Sequence, residues 1–304
     1  MKKLLLLIVG TIFALCIAEI LSRFYLPLPL RYDMVSAQNK RVECYEPSFF
    51  GGYRPKSNTC GRDDNGLLAS TQSPSGILIL GDSLSTSDGW ARALQKRYPK
   101  RIINGSVSGY DTCQELHWFR ELDKRIQIDA VILQMCPNDI GGSPVLVPKD
   151  DHTYRYFTGS RAFDFPRWIL RSHLLSYFMF QYAIENIAAP LEEDPVQIEQ
   201  HTRQCLRELR NEVGNRPLHI IIFPVLSDDQ NEHLKGWNSE QQLKSIAQDV
   251  GVSYLFLRDS MEGMAFSSLR ERPDDHVHPS AEGSISLLET IVPFLQKDSR
   301  LTFE

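Results

Sequence analysis

GILILGDSL, residues 76–84, runs through four consecutive large apolar residues and then stops at a glycine, an acid and a serine. Apolarity on successive rather than alternate positions fits a short strand covered on both faces, as in a parallel sheet. Ser83 then falls where such a strand turns into a helix. Four further runs share the character of the first, which we place at Ile77–Leu80: Arg101–Asn104, Ala130–Met135, His219–Phe223 and Ser253–Leu257. Helical patterns separate or follow them, at Gly89–Arg97, Thr112–Lys124, Pro195–Val213, Glu240–Val250 and Ala281–Leu295. Strand and helix in alternation predict an α/β fold with a doubly wound, parallel five-stranded sheet.

The rest of the chain narrows the options. Its 304 residues, 42% of them hydrophobic, supply ample core for one large α/β domain or two small ones. A net charge of −5, with no dense block of Lys and Arg, gives no nucleic-acid face. Met1-Lys2-Lys3 precedes LLLLIVGTIFALCIA, fifteen residues without a charge. A positive start before an apolar stretch reads as an export signal or a signal anchor over residues 1–22. Leu4 to Leu21 is long enough to span a bilayer, and cleavage after Ala18 is the alternative. With lysines only on the N-terminal side, a retained helix leaves the body outside the cytoplasm, in the cell envelope. Residues 23–75 are rich in Pro, Gly, Tyr and Arg and read as a stalk and an irregular cap. The α/β domain then covers 76–304, with an aromatic-rich insertion at 145–190. That insertion is expected to be either a lid facing the substrate or an extra helix packed on the core.

Six cysteines are present, of which Cys16 lies in the apolar leader. Cys44, Cys60, Cys113, Cys136 and Cys205 remain, with no Cys-x-x-Cys spacing to suggest zinc or a thioredoxin-like motif. In an oxidising compartment Cys44 and Cys60 can close a short loop; reduced, buried cysteines are the alternative.

In open parallel sheets, ligands bind beyond the carboxyl ends of the strands. Four polar clusters fall there: Gly81-Asp82-Ser83, Asn104 through Gly109, Cys136-Pro137-Asn138-Asp139, and Asp274 through Pro279 just before the final helix. A serine hydroxyl needs a base to act as a nucleophile. His278 is the candidate base, and Asp275, three residues earlier, can hold its other ring nitrogen. Gly109 and the helix-start N–H of Ser83 offer backbone donors, and Asn138 a side-chain amide, for an oxyanion. Asp111 and Asp139 read as turn or cap residues, and His117, His152 and His173 as surface or packing residues.

These blocks resemble the GDSL, or SGNH, hydrolases. Gly81-Asp82-Ser83-Leu84 matches the first block with Ser83 at the nucleophile position, and Trp90 and Leu94 look like the helix that follows it. Asn104 to Gly109 matches the second, with Gly109 at the oxyanion position. The third, usually Gly-x-Asn-Asp, keeps Asn138 and Asp139 but has Cys136 for its glycine. Asp275, His278 and Pro279 match the last. The resemblance covers residues 76–296 and implies a flavodoxin-like three-layer sandwich. It also implies ester hydrolysis through an acyl-serine, without metal or cofactor, on an acylated glycan, a lipid or another small ester. The departure at Cys136 is expected to narrow the cleft or alter the oxyanion geometry. If Gly109 and Asn138 share one oxyanion, Cys113 and Cys136 become candidates for a disulfide. Three alternatives accompany this reading: a metal site at Asp274, Asp275, His276 and His278, a silent glycan-binding module, and transfer of the acyl group to a sugar hydroxyl.

Overall fold

The computed structural model describes residues 2–25, 44–48, 52–68, 75–86, 89–99, 101–140, 145–148, 153–158, 161–166, 168–169, 172–178, 195–228, 234–261, 263–301 and 303. Most of the expected stalk (26–43), residues 69–74 of the cap and parts of the aromatic insertion, His152 among them, lie outside the described residues. The chain divides into two units. One comprises Met1–Val42, Pro47–Tyr53 and Pro144–Glu193; the other comprises Glu43–Glu46, Arg54–Ser143 and Asp194–Glu304.

In chain order the helices are α1 (Lys2–Tyr25), α2 (Ser83–Thr86), α3 (Trp90–Arg97), α4 (Thr112–Leu122), α5 (His173–Phe178), α6 (Pro195–Val213), α7 (Leu234–Val250), α8 (Leu257–Ser260) and α9 (Ala281–Gln296). The strands are β1 (Tyr45–Ser48), β2 (Gly52–Pro55), β3 (Ser75–Leu80), β4 (Ile102–Asn104), β5 (Gln127–Met135), β6 (Val145–Pro148), β7 (Thr153–Thr158), β8 (Arg161–Pro166), β9 (Leu218–Ile222) and β10 (Ser253–Phe256).

In the first unit α1 is one 24-residue helix, roughly 36 Å long at about 1.5 Å per residue. The Glu19 carboxylate near its end accepts from Ser172 Oγ (2.7 Å) and from the Leu174 N–H (3.1 Å), at the start of α5. Among the described residues no helix is long and apolar enough to cross a membrane; the side chains of residues 2–9 lie outside them. The insertion carries both strands and a helix. It forms the antiparallel sheet β6–β7–β8 followed by α5. Its aromatic residues recur with period two in TYRYFT and RAFDFP, which is strand patterning.

The second unit carries the five-stranded sheet in the order β10–β9–β5–β3–β4, with every pair parallel. Counted along the domain this is the doubly wound order 2-1-3-4-5. The chain leaves β3 to form β4 on one side, then returns to form β5 on the other. The crevice at that reversal is where such sheets bind ligands. Ile77 to Leu80 of β3 have no exposed surface, and burying each such side chain contributes about 1.5–3 kcal/mol. Ile77 and Ile79 join Trp90 and Leu94 of α3 and Leu287, Ile291 and Leu295 of α9 in one core cluster. Alternation along the strand turns Leu78 and Leu80 to the other face, where α4 packs on α6 and α6 on α7. The strands and helices start and end within a few residues of expectation, except that α7 begins at Leu234 rather than Glu240.

Two disulfides are present. Cys44 pairs with Cys60, as the short loop suggested, with Cα atoms 5.4 Å apart. Cys113 pairs with Cys205 (Cα–Cα 5.1 Å), not with Cys136. The expected bridge fails because Cys113 sits on the face of α4 that meets α6, whereas Cys136 is buried at the sheet end with a free thiol.

His117, one turn beyond Cys113, is held to a pKa of about 4 by burial, then by the charges of Arg120 and His201. Between its ordinary value near 6.5 and 4, the unfolded chain takes up a proton that the folded chain refuses, so stability falls as pH falls. Comparing pH 7 with pH 5 by denaturant titration, His117→Asn is expected to lose about 1–2 kcal/mol less than the parent chain. Parallel pH profiles for the two proteins would contradict this.

Candidate active site

The first block is shaped by lack of space. A Cβ on Gly81 would stand 2.5 Å from Gln134 Oε1 and 2.8 Å from Ser85 Oγ. Gln134, near the end of β5, clamps the turn: its Oε1 accepts from the Asp82 N–H (3.1 Å) and from Ser85 Oγ (2.9 Å). Asp82 Oδ1 accepts from the Leu84 N–H (3.0 Å), starting α2 directly at Ser83. The first N–H groups of a helix have no partner within it, so α2 itself supplies none for the Ser83 amide.

The second block is tied to the first. The Val107 N–H donates to Gly81 O (2.8 Å), and Asn104 Nδ2 donates to Ser85 O (2.9 Å). Gly109 has φ +77°, a left-handed conformation that favours glycine, and it is exposed. Asp111 then caps α4, accepting from the Cys113 and Gln114 N–H groups, with Gln114 returning a bond to the Asp111 N–H. The expectation of a cap is met there. Beneath the loop lies Arg62, a buried guanidinium that donates to Gly66 O (2.7 Å) and Ser106 O (3.0 Å). Burial lowers its pKa, opposed by its neighbour Tyr45.

In the third block Asn138 Nδ2 donates to Asp82 Oδ2 at 3.2 Å, which sets the amide beside the residue preceding Ser83. Asp139 is more than a cap. It is buried, and its Oδ2 accepts from the Cys136 N–H (2.6 Å). Burial, then the adjacent Asp82 carboxylate, pushes its pKa well up. Glu115, one turn into α4 and also buried, is raised in the same way by burial and then by Asp139.

The last block folds back on itself as a compact loop. The Glu271 N–H donates to His278 O (3.0 Å), and the Ser280 N–H donates to Leu269 O (2.7 Å). The Leu226 N–H, beyond β9, donates to His276 O (2.7 Å). Arg270 Nε donates to Leu226 O and its Nη1 to Pro273 O. A buried Glu240–Arg258 pair anchors the neighbouring Val225 through its own N–H and carbonyl. Held this way, Asp275 Oδ1 accepts from the Val277 and His278 N–H groups (3.0 and 2.9 Å). The Asp275 carboxylate also lies 3.0 and 3.1 Å from His278 Nδ1. Its partial burial opposes ionisation. The backbone bonds from His278 and Val277, with the imidazole, outweigh that and hold its pKa far below the usual carboxylate range.

Ser83, Asp275 and His278 therefore meet although they are remote in sequence: His278 Nε2 lies 2.9 Å from Ser83 Oγ. Because a carboxylate only accepts, Nδ1 carries the imidazole proton, and Nε2 is left to accept from the serine hydroxyl. Of the five residues expected from the sequence, the structure joins Ser83, His278 and Asp275 and sets Asn138 beside Asp82, with Gly109 on the loop after β4. Gln134, Arg62, the Glu240–Arg258 pair and Arg270 were not among those expected. On the Asp274–His278 loop, Asp275 is engaged with His278, and His278 with Ser83. Among the described residues the metal-type side chains that converge are Cys113, His201 and Cys205, with ligand atoms within 4.8 Å. Two of those sulfurs are joined in a disulfide, and a bonded pair offers no thiolate.

Helix α9 starts behind His278 with Ser280 as its N-cap, and a Cβ at Gly283 would stand 2.4 Å from Leu269 O. The obstacle is backbone, so relief requires moving the loop that carries His278. Alanine normally gains about 1 kcal/mol over glycine in a helix. Here Gly283→Ala is expected instead to destabilise by about 1–3 kcal/mol, seen as a Tm lowered by several degrees. A Tm at or above the parent's would contradict the packing described.

A family model for the GDSL-like lipase/acylhydrolase family matches residues 57–284. No curated protein matches the chain. Several solved structures do, and three illustrate the range. The lipase/acylhydrolase from Enterococcus faecalis is 16% identical, with 75% of this chain and 98% of that chain covered and a TM-score of 0.46. The psychrotrophic esterase EstA from Pseudoalteromonas sp. is 16% identical, covering 74% and 98%, with a TM-score of 0.43. An acetylxylan esterase from Geobacillus stearothermophilus is 14% identical, covering 74% and 95%, with a TM-score of 0.42. With most of its length matched by that one model and its motif residues gathered at a single sheet edge, the chain belongs to the GDSL-like lipase/acylhydrolase family of ester hydrolases.

Proposed function

We propose that this ester hydrolase works through an acyl-serine intermediate, outside the cytoplasm, on an O-acylated envelope glycan or a lipid ester. The observation that carries the chemistry is the Ser83–His278–Asp275 chain, with contacts of 2.9 and 3.0 Å. Ser83 Oγ attacks the ester carbonyl carbon while His278 Nε2 takes the hydroxyl proton. The carbonyl oxygen becomes an oxyanion that the N–H groups of Ser83 and Gly109 and the Asn138 amide are there to receive. Collapse expels the alcohol, which takes the proton from His278 and leaves the acyl group on Ser83. Water, deprotonated by His278, then attacks the acyl carbon; the bond to Ser83 Oγ breaks, His278 returns the proton to Oγ, and the acid leaves. Asp275 keeps the proton on Nδ1 and stabilises the imidazolium that forms in each half-reaction.

Location is read from two features. The positively charged start and apolar run of the sequence at residues 1–22 support export, whether that segment is kept as an anchor or cleaved. The bonded cysteine pairs support an oxidising compartment. O-acyl groups on envelope polysaccharide and membrane lipid are the esters such an exported enzyme would meet.

Incubation of the full chain in detergent with a fluorophosphonate probe tests the chemistry. The parent protein is expected to label and Ser83→Ala not to; a folded parent that stays unlabelled would sink the proposal. Asp275→Asn should cut kcat for p-nitrophenyl acetate by about 10³–10⁴-fold with little change in KM. The compartment is tested by acid-quenching cells and mapping peptides without reduction. Both disulfides should be intact, and recovery of all four thiols free would contradict export.

A further inference from the structure

Cys136 sits where the third block has glycine in the resembling family, yet its backbone does not ask for one: φ −144° and ψ 170° is extended chain open to any residue. What its side chain adds is a donor. The thiol is buried and free. It donates to Asn138 Oδ1, and its Sγ lies 3.3 Å from Asp82 Oδ2. On the other side of the same amide, Asn138 Nδ2 donates to that Asp82 oxygen at 3.2 Å. The amide is thus gripped at both ends, oxygen against a donor and nitrogen against an acceptor. Flipping it would set its carbonyl oxygen against a carboxylate and its NH2 against the sulfur, so these partners permit one sense only. The residue gripped is itself exposed, so these bonds matter to its orientation.

From this arrangement we infer that Cys136 is a positioning residue for the reaction: its S–H orients the Asn138 amide so that one N–H binds Asp82 and the other is presented to the oxyanion. The inference rests on the acyl-serine reading for its consequence, though not for its geometry. A thiol acts this way only while it keeps its proton. Burial, and then the Asp82 and Asp139 carboxylates, push the Cys136 pKa well above the ordinary thiol range. The same burial means that the role belongs to the S–H as a donor and not to a reactive thiolate.

The test pairs kinetics with a readout that does not depend on turnover. For the full chain acting on p-nitrophenyl acetate, Cys136→Ala and Cys136→Gly should lower kcat about 10-fold or more with KM little changed. The ceiling is the roughly 10²–10³-fold that loss of an entire oxyanion donor costs. Cys136→Ser, which keeps a donor, should stay within about threefold of the parent. In an Asn138→Ala background Cys136→Ala should add no further loss, whereas a merely structural thiol would add its full effect. In protein labelled with 15N-asparagine, the Asn138 side-chain NH2 resonances, identified by their loss in Asn138→Ala, should shift in Cys136→Ala and remain in place in Cys136→Ser. Unchanged kcat and unchanged amide resonances in the alanine and glycine variants would overturn the inference. A parent protein without esterase activity whose Asn138 amide still responds to Cys136→Ala would overturn the hydrolase reading and leave this one standing.

Discussion

Strand β3 is hydrogen-bonded on both edges and buried on both faces, so the chain can present a polar side chain only where that strand stops. Its neighbours are β5, which is also paired on both edges, and β4, the last strand of the sheet, and their ends are tied to the end of β3. Val107 donates to Gly81, Asn104 to Ser85, and Gln134 clamps Asp82 and Ser85. A parallel sheet thereby gathers the candidate nucleophile and the two candidate oxyanion loops at the ends of adjacent strands. Backbone pairing and apolar burial set the register, and these side-chain bonds then fix the loops to one another.

The base arrives differently. His278 lies on an irregular loop, so its position is fixed by polar bonds rather than by strand pairing. Arg270 and the Leu226 N–H fasten the loop to the end of β9, and the buried Glu240–Arg258 pair fastens Val225 in turn. Removing one partner from such a buried pair leaves an uncompensated charge, which costs about 3–5 kcal/mol. That gives the pair its place here: it stiffens the ground beneath the loop that carries His278. The Asp275 carboxylate does the same at short range, accepting from two backbone N–H groups while it holds the imidazole.

What the sequence made legible follows from how each interaction is encoded. Strand ends and the residues beyond them are contiguous, so Ser83, Gly109, Asn138, Asp275 and His278 could be read from runs of a few letters. Gln134 could not, because it sits within an apolar strand and its role depends on which neighbour β5 has. Arg62 was hidden in a stretch that reads as irregular cap, where only the fold shows its guanidinium meeting Ser106 O. The Cys113 partner was misjudged for a related reason. Loop adjacency suggested Cys136, but a helix turns its side chains every 100° or so, and Cys113 faces α6 instead. The insertion betrayed its strands by period-two aromatics, a signal outweighed by the habit of reading aromatic stripes as burial.

The account stands on Ser83 carrying the acyl group. Mixing the full chain with p-nitrophenyl acetate, quenching in acid within the first turnovers and mapping peptides by mass spectrometry measures that directly. One acetyl group should appear on the peptide containing Ser83, in amounts that rise and then decay as substrate is consumed. Ester turnover with no adduct at Ser83, or with the acetyl group on another residue as the substrate is consumed, would contradict it.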